Sequence, residues 1–235
     1  HYPLRRQRQM CIRDSSRDAP RPCQRKFGGI VRDRIGSTET ESTMLPLLLA
    51  SSSAYRRELL TRLRLPFTWA SPDIDEQRRD DEPAVELVRR LARQKAEALA
   101  GSHPAHLIIG SDQVAVLGEQ VLGKPHTFER ACEQLLECSG QQVSFLTGLA
   151  LLNSATGHCQ VDCVPFTVTL RELSRERVER YVTAEQPLDC AGSFKAEGLG
   201  VSLFQSTHGC DSTSLIGLPL IRLVDMLTRE GVVVP

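Results

Sequence analysis

Residues 45–57, LPLLLASSSAYRR, give the clearest indication of the fold class of this chain. An apolar run over residues 45–50 is typical of a short buried strand. The three serines that follow, from Ser51 to Ser53, favour a turn and the N-cap of a helix, which we predict over residues 55–65. A buried strand that leads directly into a helix indicates an α/β fold.

Outward from this stretch, strands and helices alternate until a hairpin-like region interrupts the pattern. We predict further strands over Phe67–Ala70, 107–109, 114–117, 121–122, Gln142–Asn153, Cys159–Leu170 and 199–204. We predict further helices over Ala84–Ala100, Phe128–Glu137, 175–183 and Leu220–Arg229. The two long strands, joined by a turn at residues 154–157, predict an antiparallel pair. The expected fold class is therefore α/β, with a mixed twisted sheet and helices on both faces.

Charge divides the sequence into two parts. Residues 1–43 carry ten Lys and Arg against five Asp and Glu, whereas residues 44–235 carry nineteen against twenty-four. The first part has no hydrophobic period, so we predict that residues 1–43 are a disordered or non-native extension and that residues 44–235 are the folded domain. A basic targeting or nucleic-acid-binding arm is the alternative.

The mildly acidic body disfavours nucleic acid as a partner, because a phosphate backbone requires a basic surface. No apolar run approaches the ~18–20 residues that a membrane span needs. The eight cysteines are scattered and lack zinc-ligand spacing. This pattern favours reduced thiols and a cytoplasmic location.

Two segments carry candidate phosphate-binding and catalytic groups. Residues 51–57 offer backbone N–H groups, hydroxyls and the guanidinium groups of Arg56 and Arg57, which suit a phosphate anion. An ordinary helix cap with solvated arginines is the alternative. Asp112 follows the predicted strand over residues 107–109, and ligands gather where strands of α/β folds end. Its carboxylate suits Mg²⁺ binding or proton transfer from water, or simply the capping of a turn.

Three further segments add charge and glycine. Lys124 lies in a Gly-Lys-Pro sequence that is not a P-loop, and Lys95 lies on the predicted helix Ala84–Ala100. The acidic cluster over residues 73–76 suits a hard metal ion, although solvated loop acids are common. The glycine-rich segment 190–200 is suited to wrapping a nucleotide, or to being a flexible connection. Within that segment, the carboxylate of Glu197 matches the two N–H donors of a guanine-type edge.

Each signal is weak alone, but their order resembles the Maf family over residues 44–232. The matching elements are Ser-x-Ser-x-x-Arg-Arg after a strand, Asp-Glu at 75–76, Lys95, Ser-Asp-Gln at 111–113, Gly-Lys-Pro at 123–125, Thr-Gly at 147–148, Ala-Gly-Ser-Phe at 191–194 and Gly-Leu-Pro at 217–219. The sequence departs from many relatives at one point, where Cys210 separates Gly209 from Asp211. This insertion leaves the role of Asp211 open.

The resemblance implies a sheet like that of inosine-triphosphate pyrophosphatases, with the nucleotide in a central cleft. It implies a cytoplasmic homodimer that uses a divalent metal and hydrolyses a nucleoside triphosphate to a monophosphate and diphosphate. The residues expected to bind the triphosphate are Ser51, Arg56, Arg57, Lys95 and Lys124. Glu76 and Asp112 are the expected metal ligands, and Asp112 is also the expected catalytic proton acceptor.

Three residues bear on the substrate. Tyr55, Gln113 and Glu197 are similar to those of the subgroup that acts on 7-methyl-GTP, whereas the subgroup that acts on dTTP and UTP has Thr after the Asp. A dTTP or UTP pyrophosphatase is the alternative within the family. A non-catalytic nucleotide-binding regulator of septum formation is the alternative outside enzymology, and the presence of Asp112 together with the cations disfavours it.

Overall fold

The computed structural model describes residues 44–234, which fold around one seven-stranded mixed sheet. The strands are β1 (Leu47–Ala50), β2 (Phe67–Ala70), β3 (Leu107–Leu117), β4 (Gln120–Leu122), β5 (Gln142–Asn153), β6 (Cys159–Leu170) and β7 (Phe204–Gly209). The helices are α1 (Ala54–Thr61), α2 (Ala84–Ala100), α3 (Phe128–Glu137), α4 (Arg175–Glu185), α5 (Ser212–Ile216) and α6 (Leu220–Arg229). The predicted extension over residues 1–43 lies outside the described residues.

The sheet has the order β2-β1-β3-β5-β6-β7, and β4 pairs with β3. β1 runs parallel to β2 and β3, and the other pairs are antiparallel. The mixed sheet and the antiparallel pair β5–β6 were both predicted and are confirmed.

Helices cover both faces of the sheet, as predicted. Leu47 and Leu49 on β1 pack in one core cluster with residues of α1 and α6, while Leu48 and Ala50 pack in another cluster that includes α2. Alternate strand residues point to opposite faces, so a continuous apolar strand serves both cores. Burying each leucine contributes about 1.5–3 kcal/mol relative to leaving it exposed.

Helix α2 packs unusually close to the sheet because two glycines face it. A Cβ atom on Gly110 of β3 would lie 2.0 Å from the Ala92 carbonyl oxygen, and one on Gly148 of β5 would lie 2.0 Å from the Val88 carbonyl oxygen. Only glycine allows this approach, which brings α2 close to the middle of β3.

The strand that carries Asp112 is longer than predicted. β3 does not end after Ile109 but continues to Leu117, so Asp112 lies in mid-strand. Gly110, Ser111 and Asp112 suggested a strand end, but antiparallel pairing with β5 satisfies their backbone N–H and C=O groups and continues the strand. On the opposite edge, the pairing with β1 stops at Gly110 and the pairing with β4 starts at Ala115. Asp112 therefore faces a gap in the sheet between two partner strands.

The predicted strand over residues 199–204 is wrong. Residues Leu199–Leu203 form a 3-10 helix, and β7 follows at Phe204. Gly200 lies so close to Lys195 that its Cβ would be 2.2 Å from the Lys195 carbonyl oxygen, which keeps this apolar run coiled against the preceding loop. β7 is mostly polar and exposed at the sheet edge, so it lacks the alternation that would have revealed it.

Candidate active site

A cavity of about 690 Å³ opens at the gap along β3. Asp112 lines this cavity, and so do eight of the nine other site residues predicted from the sequence: Ser51, Tyr55, Arg56, Glu76, Lys95, Gln113, Lys124 and Glu197. We call the part formed by Arg56, Glu76, Lys95, Asp112 and Lys124 the cationic end, and the part formed by Tyr55 and residues 189–197 the loop end.

Lys95 joins two carboxylates at the cationic end. It lies on α2 with only 6% of its surface exposed. Its Nζ atom is 2.6 Å from Asp112 Oδ1 and 2.7 Å from Glu76 Oε1. Partial burial raises the pKa of Glu76, but the hydrogen bond and charge of Lys95 outweigh burial and hold that pKa below its usual value. Three residues that are distant in sequence thus form one charged cluster.

Arg56 is fixed by contacts on two sides. Its Nε donates to the Gly217 carbonyl oxygen at 2.9 Å, and its Nη1 donates to Ser51 Oγ at 3.4 Å. Burial lowers the pKa of Arg56, and the charges of Asp112 and Glu76 oppose that shift. A guanidinium remains protonated in proteins, so Arg56 supplies a permanent positive charge beside the two carboxylates.

Arg57, by contrast, does not reach the cleft. Its guanidinium carbon lies 5.0 Å from the centre of the Trp69 ring, and its Nη1 donates to the Ser52 carbonyl oxygen at 3.2 Å. Successive residues of a helix point about 100° apart, and on α1 the side chains of Tyr55 and Arg56 line the cavity whereas that of Arg57 does not. The structure separates these two arginines, which the sequence placed together.

Gln113 is held by the protein rather than left free for a ligand. Its Nε2 donates to Thr147 Oγ1 at 3.0 Å and to the carbonyl oxygens of Ser214 and Leu215 at 2.7 and 3.2 Å. Two carbonyl partners identify this atom as the amide nitrogen. The contribution of Gln113 to a bound base is therefore limited to its Oε1 acceptor.

The loop end gathers an aromatic ring and two acids. The Tyr55 hydroxyl lies close enough to Lys195, Cys190, Glu197 and Asp189 for their charges to act on it. Desolvation by the surrounding protein raises the pKa of Tyr55, and it also raises the pKa of Glu197 although that residue lies at the exposed rim. Lys195 is engaged elsewhere, since its Nζ donates to the Glu185 carbonyl oxygen at 3.0 Å. The loop end thus presents a flat ring next to carboxylates.

The carboxylates of the cationic end are chemically suited to a divalent metal. No group of three or more metal-binding His, Cys, Asp or Glu side chains occurs within residues 44–234. Asp112 and Glu76 each place one oxygen against Lys95, which leaves each a second oxygen for another ligand. Mg²⁺ characteristically takes one or two carboxylates and completes its shell with water and phosphate oxygens. The residues present fit such an ion.

Two buried polar residues, each part of a motif quoted above but without a predicted role of its own, support the site. Ser111 Oγ lies 2.9 Å from the carbonyl oxygens of both Gly148 and Gly217, and the latter also accepts from Arg56. Thr147 Oγ1 donates to the Ser214 carbonyl oxygen at 2.9 Å. Their presence in the Ser-Asp-Gln and Thr-Gly motifs was the only signal in the sequence for these contacts.

Asp211, whose role the sequence left open, is a structural cap. Its Oδ1 accepts from the Thr213 backbone N–H at 2.9 Å, and its Oδ2 accepts from the Ile221 backbone N–H at 2.9 Å. It thereby caps α5 and satisfies a donor in the first turn of α6. It does not line the cavity.

The described part of the chain has no membrane-crossing candidate: across residues 44–234, no helix has both the length and the apolar character that a span requires. The six cysteines within residues 44–234 are free in the structure.

Comparisons with known proteins agree on the family. The chain is 94% identical over 192 residues to a 7-methyl-GTP pyrophosphatase of Pseudomonas putida, covering 82% of this chain and 100% of that protein. A protein of the same description from Pseudomonas aeruginosa is 71% identical with the same coverage, and one from Alcanivorax borkumensis is 60% identical over 80% of this chain and 96% of its own length.

Among solved structures, the Ham1 protein of Staphylococcus aureus aligns with a TM-score of 0.46 and 15% sequence identity, over 79% of this chain and 99% of that one. The family model of Maf-like proteins matches residues 46–230. The chain is therefore a member of the Maf family.

Proposed function

We propose that this protein hydrolyses 7-methyl-GTP to 7-methyl-GMP and diphosphate. The observation that supports it is one cavity with the fixed charges of Arg56, Lys95 and Asp112 at one end and a ring with carboxylates at the other. Such a cavity suits a ligand that is anionic at one end and flat and cationic at the other. The name of the relatives with 71 to 94% identity supports the choice of this nucleotide.

At the cationic end, Arg56, Lys95 and Lys124 would bind the triphosphate. Arg56 and Lys95 are held by the contacts described above, so they need little reorganisation when negative charge develops on the leaving diphosphate. Ser51 serves this end by accepting hydrogen bonds from Arg56 and from the Ser53 backbone N–H, at 3.4 and 3.2 Å.

Asp112 is the proposed proton acceptor. A water oxygen would form a bond to the α-phosphorus while the bond from that phosphorus to the bridging oxygen breaks, and the water proton would pass to the Asp112 carboxylate. The electron pair of the broken bond leaves with diphosphate. Lys95 orients Asp112 through their 2.6 Å contact.

A divalent metal is part of the proposal, with Glu76 and Asp112 as its protein ligands. When bound, it would neutralise phosphate charge and help to orient the triphosphate. A cytoplasmic location and a homodimer complete the proposal. Light scattering of the purified protein tests the dimer.

At the loop end, Tyr55 and Glu197 would select the base. The 7-methylguanine ring carries a positive charge, so it is attracted to an aromatic face and to carboxylates. The two oxygens of Glu197 match the two adjacent N–H donors of guanine, which uracil and thymine do not offer, and Gln113 Oε1 adds one acceptor. We therefore expect 7-methyl-GTP to be hydrolysed better than GTP, and much better than UTP or dTTP.

Product analysis in ¹⁸O-labelled water tests both the substrate and the bond cleaved. The protein is supplied with Mg²⁺ and, separately, with 7-methyl-GTP, GTP, UTP and dTTP. We expect the label in 7-methyl-GMP, as attack at the α-phosphorus requires, and the highest kcat/KM with 7-methyl-GTP. Preference for UTP or dTTP would contradict the substrate but not the reaction, and label in diphosphate would contradict the site of attack.

A further inference from the structure

One buried polar side chain connects the two ends of the cleft without lining it. Gln134 lies on α3 with 3% of its surface exposed. Its Oε1 accepts a hydrogen bond from Ser193 Oγ, and its Nε2 donates to the Gly123 carbonyl oxygen at 3.3 Å. Both halves of the amide are therefore used.

The two partners of Gln134 belong to opposite ends of the cleft. Gly123 immediately precedes Lys124 of the cationic end. Ser193 lies in the loop end, next to Phe194, which lines the cavity, and four residues before Glu197. Ser193 also has a left-handed backbone with a φ of 62°, a conformation that a non-glycine residue holds only when its surroundings impose it.

A second bond joins the same two segments. The His126 backbone N–H donates to the Leu188 carbonyl oxygen at 2.9 Å. The loop of Lys124 and the segment before Glu197 are thus tied twice, once by backbone and once through the Gln134 amide. The backbone bond survives most substitutions, so the amide is the part of the tie that can be tested.

A primary amide is needed for this arrangement. It offers an acceptor and donors in one fixed plane, whereas a carboxylate cannot donate and an apolar side chain can do neither. α3 provides a firm base, since the neighbouring Ala131 and Leu135 are fully buried. Gln134 is thus held in place well enough to set the spacing between two loops.

We propose that Gln134 is a positioning residue that fixes Lys124 relative to the base-binding segment of residues 189–197. It touches no substrate, and it acts by keeping the phosphate-binding cation at the distance that a bound nucleotide requires. The inference rests on the proposed function, because it assigns base and triphosphate to the two ends of the cleft.

The test compares Gln134→Met with a matched variant, Gln160→Met. Gln160 on β6 is also partly buried, and its Nε2 also makes two bonds, to the Met226 carbonyl oxygen at 3.0 Å and to Glu230 Oε1 at 3.1 Å. It lies outside the cleft lining. Gln160 Oε1 also accepts from Arg229 Nη1 at 3.4 Å. Both variants lose all the hydrogen bonds of one amide side chain, so a general loss of stability affects both.

We expect Gln134→Met to lower kcat/KM for 7-methyl-GTP by roughly 10- to 100-fold, because displacement of a binding group by about 1 Å has effects of that order. Gln160→Met should stay within about twofold of wild type. The decisive measurement is a double-mutant cycle with Lys124→Ala and with Glu197→Ala. In each of those backgrounds, the effect of Gln134→Met should shrink to a few-fold.

Additive effects in both cycles, or equal losses in the two methionine variants, would overturn the proposal. If Gln134→Met does not fold, Gln134→Glu replaces it, since a glutamate keeps the acceptor for Ser193, loses the donor to Gly123 and sets a carboxylate against the Gly123 carbonyl oxygen. It should show the same dependence on Lys124. The wild-type assay separates the two levels of failure: absence of turnover with 7-methyl-GTP counts against the proposed function, and normal turnover with additive cycles counts only against Gln134.

Discussion

The two ends of the cleft are built from different kinds of structure. At the cationic end, Arg56, Lys95 and Asp112 lie on α1, α2 and β3, which pack in the core. At the loop end, residues 189–197 contain only a three-residue turn of 3-10 helix, Ala191–Ser193, and Glu197 lies at the exposed rim. Arg56, Lys95 and Asp112, which would act on the triphosphate, are therefore fixed by the sheet and its helices, while Glu197 can change without disturbing them.

The largest expected effect is that of replacing Asp112, the proposed proton acceptor of the cationic end. Asp112→Asn keeps the shape of the side chain and removes its negative charge, so kcat should fall by roughly 10²- to 10⁴-fold if Asp112 accepts the proton. Nucleotide affinity should fall much less. Kinetics and equilibrium binding on the same preparation measure the two effects.

Asp162→Asn is the matched control for that variant. Asp162 also lies on a strand and pairs with a cation, since its Oδ2 is 2.6 Å from Arg222 Nε, but it is not part of the cavity wall. It should leave kcat near the wild-type value. A near-normal kcat for Asp112→Asn would exclude Asp112 as the base.

The adjacent arginines of α1 give the next test. Arg56→Ala removes a fixed cation from the cavity and should weaken transition-state binding by about 2–4 kcal/mol. Arg57→Ala removes a partly exposed cation that lies over Trp69, so it should change stability by only about 0.5 kcal/mol and leave kcat/KM unchanged. Measured kcat/KM and Tm for both variants decide the matter, and equal catalytic losses would contradict the placement of Arg57 outside the cleft.

At the loop end, Glu197→Ala should reduce discrimination rather than abolish catalysis. Loss of an acceptor for two guanine donors should lower the preference for 7-methyl-GTP over UTP by roughly 1–3 kcal/mol, mainly through the methylated substrate. Ratios of kcat/KM measure this effect. Glu58→Ala is the control, because the charge of Glu58 acts on Glu197 but Glu58 does not line the cavity. If Glu197→Ala left the ratio of kcat/KM for 7-methyl-GTP to that for UTP unchanged, Glu197 would face solvent and would not contact the base.

The same difference between the two ends explains what could be predicted from sequence. The apolar periods of β1, α2 and α3 predicted these elements closely, and the boundaries of α2, Ala84–Ala100, were correct. The candidate residues of the cationic end were predicted from the order of several short motifs along the chain, each of which is weak alone. Their assembly by Lys95 depends on contacts between distant segments, which no local pattern contains.

The features that could not be predicted from the sequence depend on tertiary contacts. Arg57 follows Arg56 in sequence, and only the orientation of α1 against the sheet decides which of them faces the cavity. The helix at 199–203 replaced a predicted strand because Gly200 packs against Lys195. α5 has five residues, too few to show a helical period, and its cap Asp211 looked like a misplaced motif residue.

A smaller effect concerns the loop that carries Glu76 to the cationic end. Glu82 Oε1 lies 2.6 Å from Arg90 Nε and its Oε2 lies 2.8 Å from Arg90 Nη2, and Arg90 also donates to the Gln77 carbonyl oxygen at 3.0 Å. The hydrogen bonds from Arg90 lower the pKa of Glu82 from 4.5 to about 2. The ion pair between Glu82 and Arg90 thus holds the loop of residues 71–83 against α2.

Because the folded-state pKa is the lower one, this stabilisation is complete above the unfolded value of 4.5 and is lost as the pH falls toward 2. Glu82→Gln should lower stability at neutral pH by about 1.5–3 kcal/mol, the range for hydrogen bonds to charged groups. The difference in Tm between wild type and variant should narrow between about pH 5 and about pH 3. A gap that does not depend on pH would show that the charge of Glu82 is not what holds the loop.

The smallest expected effect is that of removing residues 1–43. These residues carry a net positive charge and no apolar face, so they offer little surface whose burial could stabilise the domain. A protein that begins at Met44 retains β1 and both ends of the cleft, and we expect its Tm and its kcat/KM for 7-methyl-GTP to match those of the full chain.

A protein that begins at Ser51 is the control. It lacks Leu47–Ala50, which pairs with two strands and is buried in two core clusters, so it should not fold. If the protein that begins at Met44 does not fold either, residues 1–43 belong to the folded domain. If it folds but changes the preference among nucleotides, they contribute to the loop end.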